Sequence, residues 1–358
     1  MKIVHFVEAF GGGVYTYVKD LCNFLVENDV TESLQVHLIY SPNREEFNKD
    51  LFIKEINPKI KLYEIDMIRN INISIDYKVL KQTRLILKKI QPDVIHLHSA
   101  KATVLGRISA YNIVQKNKIF YSPHGYSFVQ QNISSPKKII FKIIEKTMPL
   151  LVGGITVASG DTEYELSKKY GKAVLIRNGV DLELPNNLYK KPHNETLTIG
   201  TVGRLCPQKN PSFFNDLALN LPHYKFIWIG NGDLINEITA PNIEVTGWIS
   251  SREELLKKIN QLDIYTQVSL WEGLPISILE AMAIRKPLVV SNVIGNRDTV
   301  KNNFNGYTFN SITEAIESFK KLENLTLREE FSENSYLFCD ADFNKSKNFL
   351  KLLDLYKS

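Results

Sequence analysis

"LTIGTVG", residues 197–203, reads as a short apolar strand running into a glycine turn, and it restarts a pattern that the chain has already run through once. Upstream, β-rich runs at "KIVHFV" (2–7), "LQVHLIY" (34–40), "IKLYEI" (60–65), "DVIHLH" (93–98), "KIFYS" (118–122), "GGITVA" (153–158) and "AVLIRN" (173–178) alternate with helix-period stretches such as 14–27 and 76–90. Downstream the alternation resumes through "KFIWIG" (225–230), "IEVTGW" (243–248), "DIYTQV" (263–268) and "PLVVS" (287–291). Strands separated by helices build parallel sheets covered on both faces. Two such series predict two doubly wound, Rossmann-like α/β domains. The polar segment 184–196, "LPNNLYKKPHNET", has two prolines and no apolar period, which sets the expected domains at 1–186 and 187–344. The last segment, "KSKNFLKLLDLYKS" (345–358), has helical spacing in Phe349, Leu350, Leu353 and Tyr356 and suits packing on either domain.

Composition narrows the function classes. A chain of 358 residues that is 44% hydrophobic and 23% charged has ample material for two cores. No apolar run approaches the roughly 20 residues that span a bilayer. The opening "MKIVHFVEAFGGG" reaches Glu8 too soon for the apolar region of a signal peptide and reads as a first strand. Cys22, Cys206 and Cys339 are odd in number and far apart, so they frame neither a disulfide network nor a zinc site, and a reducing cytosol is expected. Net charge is +7 over residues 1–190 and −2 over 191–358. A basic front half suits a phosphate-rich partner or an anionic membrane face, and equally an unevenly charged solvated surface.

In open parallel sheets, ligands sit beyond the carboxyl ends of the strands, where loops turn into helix N-termini. Two such sheets are expected to face one another across a cleft. "FGGGVYTYV" (10–18) follows the first strand; its glycines admit a close ligand, and the N–H groups of the next helix favour an anion. It lacks the Gly-Lys-Ser/Thr of a P-loop, and Thr16 breaks a G-x-G-x-x-G fingerprint, so a tight structural turn fits as well. "SPHGYSF" (122–128) sets His124 in a turn at a sheet's carboxyl edge, where its ring can donate to a hydroxyl. His96 and His98 alternate along one strand and share a face. With no carboxylate or cysteine at metal spacing beside them, they read as positioning residues. "VGRLCPQKN" (202–210) carries Arg204 and Lys209 in a strand-to-helix loop; a guanidinium fork and a point charge suit a pyrophosphate. "IGNGDL" (229–234) offers Gly230 and Gly232 for a close backbone approach.

"WEGLPISILEAM" (271–282) combines these elements. Pro275 is expected at the first helical position, which leaves Glu272 in the loop and Glu280 about one and a half turns into the helix. Between the two carboxylates lie the unpaired N–H groups near residues 275–277 and the positive end of the helix dipole. A ligand reading hydroxyl, diphosphate, hydroxyl matches that order.

Taken together, the segments "GGGV" (11–14), "PDVIHLHS" (92–99), "SPHG" (122–125), "IRNGVD" (176–181), "VGRLCPQKN" (202–210), "GNGDL" (230–234) and "EGLPISILEAMA" (272–283) resemble the family 4 (group 1) retaining, nucleotide-sugar-dependent glycosyltransferases of GT-B fold, of the bacterial polysaccharide-biosynthesis type. The resemblance spans nearly the whole chain. It implies a donor held mostly by the second domain, an acceptor by the first, and a C-terminal helix (345–358) crossing back onto domain one. It implies that Glu272 holds the transferred sugar, Glu280 the ribose, and Arg204 and Lys209 the leaving diphosphate, with His124 near the reacting end of the sugar. Gly12 and Gly13 approach the diphosphate, the backbone around Gly247, Trp248 and Ile249 reads the base, and Gly273, Leu274, Pro275 and Ile276 complete the donor loop with Gly230 and Asn231. It implies no metal, no cofactor beyond the nucleotide sugar, and no nucleic-acid partner; UDP is the expected nucleotide. "GNGDL" departs from the family by carrying Asn231 and Asp233 where relatives often have Asp and Pro. The one D-x-D, Asp340-Ala341-Asp342, lies just before the last helix rather than after a strand, and is set aside as a metal site.

The stretch 134–150 places Lys138, Lys142 and Lys146 at i, i+4 spacing, with Ile139, Ile140, Ile143 and Ile144 beside them. It reads either as a helix lying at an anionic membrane, with a lipid-diphosphate-linked glycan as acceptor, or as a surface helix packing its isoleucines on the sheet. A nucleotide-sugar 2-epimerase and a non-catalytic nucleotide-sugar-binding partner are the alternatives to transfer.

Overall fold

A computed structural model describes residues 1–29, 33–44, 47–183, 196–249 and 251–358. The chain divides into two compact units: residues 1–129, 133–177 and 346–358 form the first, and residues 130–132 with 178–345 the second. The second unit takes in Gln131, whose Nε2 donates to Leu270 O at 3.0 Å. The change of unit falls at Arg177–Asn178, ahead of the polar segment 184–196, of which only Thr196 lies among the described residues.

The first unit holds a seven-stranded parallel sheet built from β1 (Lys2–Val7), β2 (Gln35–Tyr40), β3 (Lys61–Glu64), β4 (Val94–His98), β5 (Ile119–Ser122), β6 (Ile155–Ala158) and β7 (Ala173–Leu175), in the order β3-β2-β1-β4-β5-β6-β7. Ile3, Val4, Phe6 and Val7 of β1 are fully buried, as befits a central strand with helices on both faces. The last helix, Lys345–Lys357, packs Phe349, Leu352, Leu353 and Tyr356 into the core with Ile3, Val18 and Leu21. That i, i+3, i+4, i+7 face corrects the expected one, since Leu352 takes the place of Leu350, which stays 48% exposed.

The second unit repeats the plan with six parallel strands: β8 (Thr198–Val202), β9 (Lys225–Ile229), β10 (Ile243–Val245), β11 (Ile264–Gln267), β12 (Leu288–Ser291) and β13 (Gly306–Phe309), in the order β10-β9-β8-β11-β12-β13. Strand β13 escapes the sequence reading because "NNFNGYTFN" looks like a turn. Its glycine is what the sheet requires: Gly306 pairs with Leu288, and a side chain there would run into the Leu288 carbonyl oxygen. Asp340-Ala341-Asp342 ends the helix Leu325–Asp342, where Asn344 Nδ2 donates to Asp340 at 3.1 Å.

Candidate functional site

Each sheet has one point where its connections part: β1 and β4 are neighbours whose next strands lie on opposite sides, and so are β8 and β11. Crevices form at such points. The helices that open there are Gly12–Glu27 and Ala100–Ala110 in the first unit, and Pro211–Asn220 and Ile276–Ala283 in the second. Their cap positions, Gly11, Ser99, Asn210 and Pro275, make no side-chain cap hydrogen bond. Elsewhere Asn48, Asn72, Ser251, Ser311 and Asn324 cap their helices, whereas Ser134 and Gly160 do not. The leading N–H groups at the switch points are thus left for an anion. Gly12 has φ +53°, and the space a Cβ would take is empty, so its backbone is open to a ligand.

In the second unit the switch point gathers Glu272. The residue is 6% exposed, and its carboxylate accepts from Lys209 Nζ at 2.7 Å, Ser269 Oγ at 2.7 Å and Gln208 Nε2 at 3.0 Å. Gln208 also donates to Trp271 O at 3.0 Å and accepts from Leu270 N–H at 2.9 Å, so it sews the loop after β8 to the loop after β11. The helix begins at Ile276, with Pro275 in extended conformation at the cap (ψ 119°) and not within the first turn as expected. The missing proline N–H makes either position tolerable, and the loop's hold on Glu272 settles which. Glu280, 7% exposed, lies 3.7 Å from Arg252 Nε, and Arg252 pairs with Asp181 at 2.6 Å. Burial pushes Asp181 up, but Lys345 and Arg252 outweigh it and hold its carboxyl below the usual range.

The glycines here bring loops together. A side chain at Gly230 (φ +141°) would strike the Gly203 carbonyl oxygen, and one at Gly295 (φ +81°) the Gly273 carbonyl oxygen beside Glu272. Asn231 O accepts from Leu205 N–H at 2.9 Å, and the stem of Arg204 lies against Gly232. Gly230 bridges Gly247 (φ +76°), where Trp248 is 57% exposed and Ile249 packs on the core. The structure therefore assembles Lys209, Glu272, Gly273, Leu274 and Pro275 in one contact set, and Arg204, Gly230, Asn231 and Gly247 in an adjoining one.

In the first unit four histidines stack. His5 Nδ1 is 3.1 Å from His98 Nε2, and His98 Nδ1 is 3.1 Å from His124 Nε2. His96 lies 4.3 Å from His98 ring to ring, but its nitrogens are engaged elsewhere: Nδ1 meets Tyr356 OH at 2.5 Å and Nε2 meets Ser122 Oγ at 2.9 Å. Ser122 spends its hydrogen on Val157 O, so His96 carries its own hydrogen on Nε2 and accepts from Tyr356. Burial pulls His5 down to about 3 and His124 to about 4, and holds His96 and His98 well below the histidine range, so all four rings are neutral near neutral pH. The sequence placed His96 and His98 on one face; it missed His5, because β1 and β4 become neighbours only in the sheet. It also missed Gln208, Ser269 and Arg252, ordinary polar residues until the loops fold, and Glu8, 5% exposed and paired with Arg44 at 3.0 Å.

The family comparisons agree with this geometry. The glycosyl transferases group 1 family matches residues 187–338, and glycosyltransferase family 4 matches residues 11–184. The chain belongs to these GT-B glycosyltransferases. It is 29% identical over 357 residues, 88% of this chain and 90% of the relative, to a UDP-Gal:alpha-D-GlcNAc-diphosphoundecaprenol alpha-1,3-galactosyltransferase of Escherichia coli. It is 26% identical over 315 residues, 85% of each chain, to the E. coli O-antigen biosynthesis glycosyltransferase WbnH. The solved structure of Anabaena Alr3699/HepE in complex with UDP and glucose superposes over 100% of both chains with a TM-score of 0.77 at 16% identity, a likeness of fold.

Proposed function

We propose that this glycosyltransferase moves a hexose or N-acetylhexosamine from a UDP-sugar to a lipid-diphosphate-linked glycan, with retention at the anomeric carbon, in the assembly of capsule, O-antigen or exopolysaccharide. The observation that carries the reading is the Lys209–Glu272 pair set at the uncapped start of helix Ile276–Ala283. Glu272 holds the hydroxyls of the transferred sugar and Glu280 those of the ribose. Lys209, Arg204 and the helix N-terminus hold the diphosphate between them. As the bond from the anomeric carbon to the diphosphate oxygen breaks, negative charge grows on the diphosphate, and fixed cations there lower the barrier more than they tighten ground-state binding. The acceptor hydroxyl attacks from the same face, and its proton passes to the departing phosphate. These side-chain cations serve in place of a metal ion. By the family resemblance His124, Gly12 and Gly13 also serve the donor, and the Gly247–Ile249 backbone takes the base. The lipid-diphosphate acceptor and the UDP donor are the ones named for the E. coli galactosyltransferase at 29% identity.

A peripheral membrane site accompanies this reading. In the helix Ser135–Val152, Ile139, Ile140 and Ile143 are 58%, 53% and 54% exposed, so they do not pack on the sheet, and lysines surround them. No helix among the described residues is long and apolar enough to cross a membrane.

The decisive experiment measures nucleotide release from UDP-, GDP-, ADP- and dTDP-sugars, with and without a lipid-diphosphate-linked acceptor. Release of UDP that requires the acceptor is expected. Consumption of the sugar nucleotide without acceptor, with epimerised product, would replace this reading.

A further inference from the structure

The hydrogen-bonded chain His5–His98–His124 runs from the dry interior to the surface of the first unit. His5 and His98 are fully buried, and His5 Nε2 is buried with no hydrogen-bond partner among the described residues. At the other end His124, in left-handed conformation (φ +52°) just after β5, is partly exposed, and its Nδ1 is not among the buried unpartnered atoms. Each of the two 3.1 Å contacts needs one hydrogen, so neutral rings can be ordered in two ways only. Either every hydrogen points outward, with His5 Nδ1–H donating to His98, His98 Nδ1–H donating to His124 Nε2, and Nδ1–H left free on His124; or every hydrogen points inward and His5 strands an N–H in the core. The number of internal bonds is the same in both. The outer end can meet water in either, so the dry end decides, and buried N–H groups without partners are rarer than buried acceptors without them.

We propose that His98, backed by His5, is a positioning residue that fixes His124 as the neutral Nδ1–H tautomer. Under the function proposed above, on which this part rests, His124 then offers a hydrogen-bond donor to a hydroxyl of the transferred sugar and has no free lone pair with which to act as a base.

The test is nitrogen NMR of protein labelled at histidine, which separates N–H from bare ring nitrogens. Wild-type His124 is expected to carry its hydrogen on Nδ1, the less common form of free imidazole. His98→Leu should shift His124 to Nε2–H and lower kcat about tenfold with the donor KM within about twofold, since only orientation in the transition state is lost. His5→Leu should keep the Nδ1–H form, because His98 Nε2 then becomes the dry end and stays bare. Tyr356→Phe, an equally buried change outside the chain, should shift His96 but leave the His124 signals and kcat unaltered, and controls for general loosening. Hydrogen on Nε2 in the wild type, or an unchanged His124 spectrum in His98→Leu, would overturn the proposal. If the wild type releases no nucleotide from any donor, the transferase reading fails instead, while the spectra still decide the ordering of the chain.

Discussion

Lys209 Nζ stands 2.7 Å from Glu272 Oε1, so the cation proposed to meet phosphate and the carboxylate proposed to meet sugar hydroxyls hold each other. Both are largely buried, with side-chain exposures of 16% and 7%, so neither can lose its partner cheaply. The pair keeps both groups in place, and under the proposed function a donor inserts its own charges and hydroxyls around them.

Lys209→Ala and Glu272→Ala are each expected to lower turnover by about two orders of magnitude, the size of one lost charge-stabilising contact. Because the residues act as a unit, the double variant should fall well short of the product of the two losses. Steady-state nucleotide release, with circular dichroism to establish folding, measures this; an unchanged rate in a folded single variant contradicts the assignment.

Tyr356→Phe removes the donor to His96 Nδ1 at a fully buried site. An unpaired buried acceptor costs about 1–3 kcal/mol, so the urea midpoint should drop accordingly, and the last helix should exchange its amide hydrogens faster. Lys118 Nζ, which donates to Tyr356 O at 2.9 Å, and the buried Phe349 keep that helix docked, so the loss is one of stability and not of fold.

Stability should fall on acidification. Above pH 6.5 the histidines are neutral in both states and their contribution is complete; below it the unfolded chain takes protons that the folded protein refuses until about 4 for His124 and about 3 for His5. His5 alone approaches a slope of about 1.4 kcal/mol per pH unit in that window. Glu145 works the other way: burial raises it to about 7 against 4.5 when unfolded, so its share is present below 4.5 and is lost as pH rises to 7. Buried Glu163 is raised as well, but His5, His96, His98, His37 and His124 outnumber the two. Urea midpoints between about pH 7.5 and pH 5 should therefore decrease steadily, and a flat profile would mean that the histidine cluster is solvated.

Flotation with vesicles tests the helix Ser135–Val152. Binding is expected with anionic lipid at low salt, weakening as salt rises, and not with neutral lipid. Each lysine near such a surface is worth about 1 kcal/mol, so replacing Lys138, Lys142 and Lys146 by Glu should abolish flotation. Equal binding of the variant would remove the electrostatic part of the reading.

Legible along the chain is whatever lies within reach of one strand, turn or helix start. Alternating apolar runs fixed the two-sheet plan, and glycines, proline and charges after strand ends marked the loops at Gly12, His124, Arg204–Lys209 and Glu272. What it left undecided depends on which strands become neighbours. Five buried residues of β1 show no period of their own, and nothing in "KIVHFV" indicates that His5 will meet His98 across 93 positions of chain. Gln208 and Ser269 look like loop residues until two loops close on one carboxylate, and "NGYTFN" looks like a turn until Leu288 offers it an edge. Local preference is written along the chain, whereas pairing across a sheet, the ordering of buried hydrogens and the choice of Leu352 over Leu350 are set by burial in a core that exists only once the whole chain has packed.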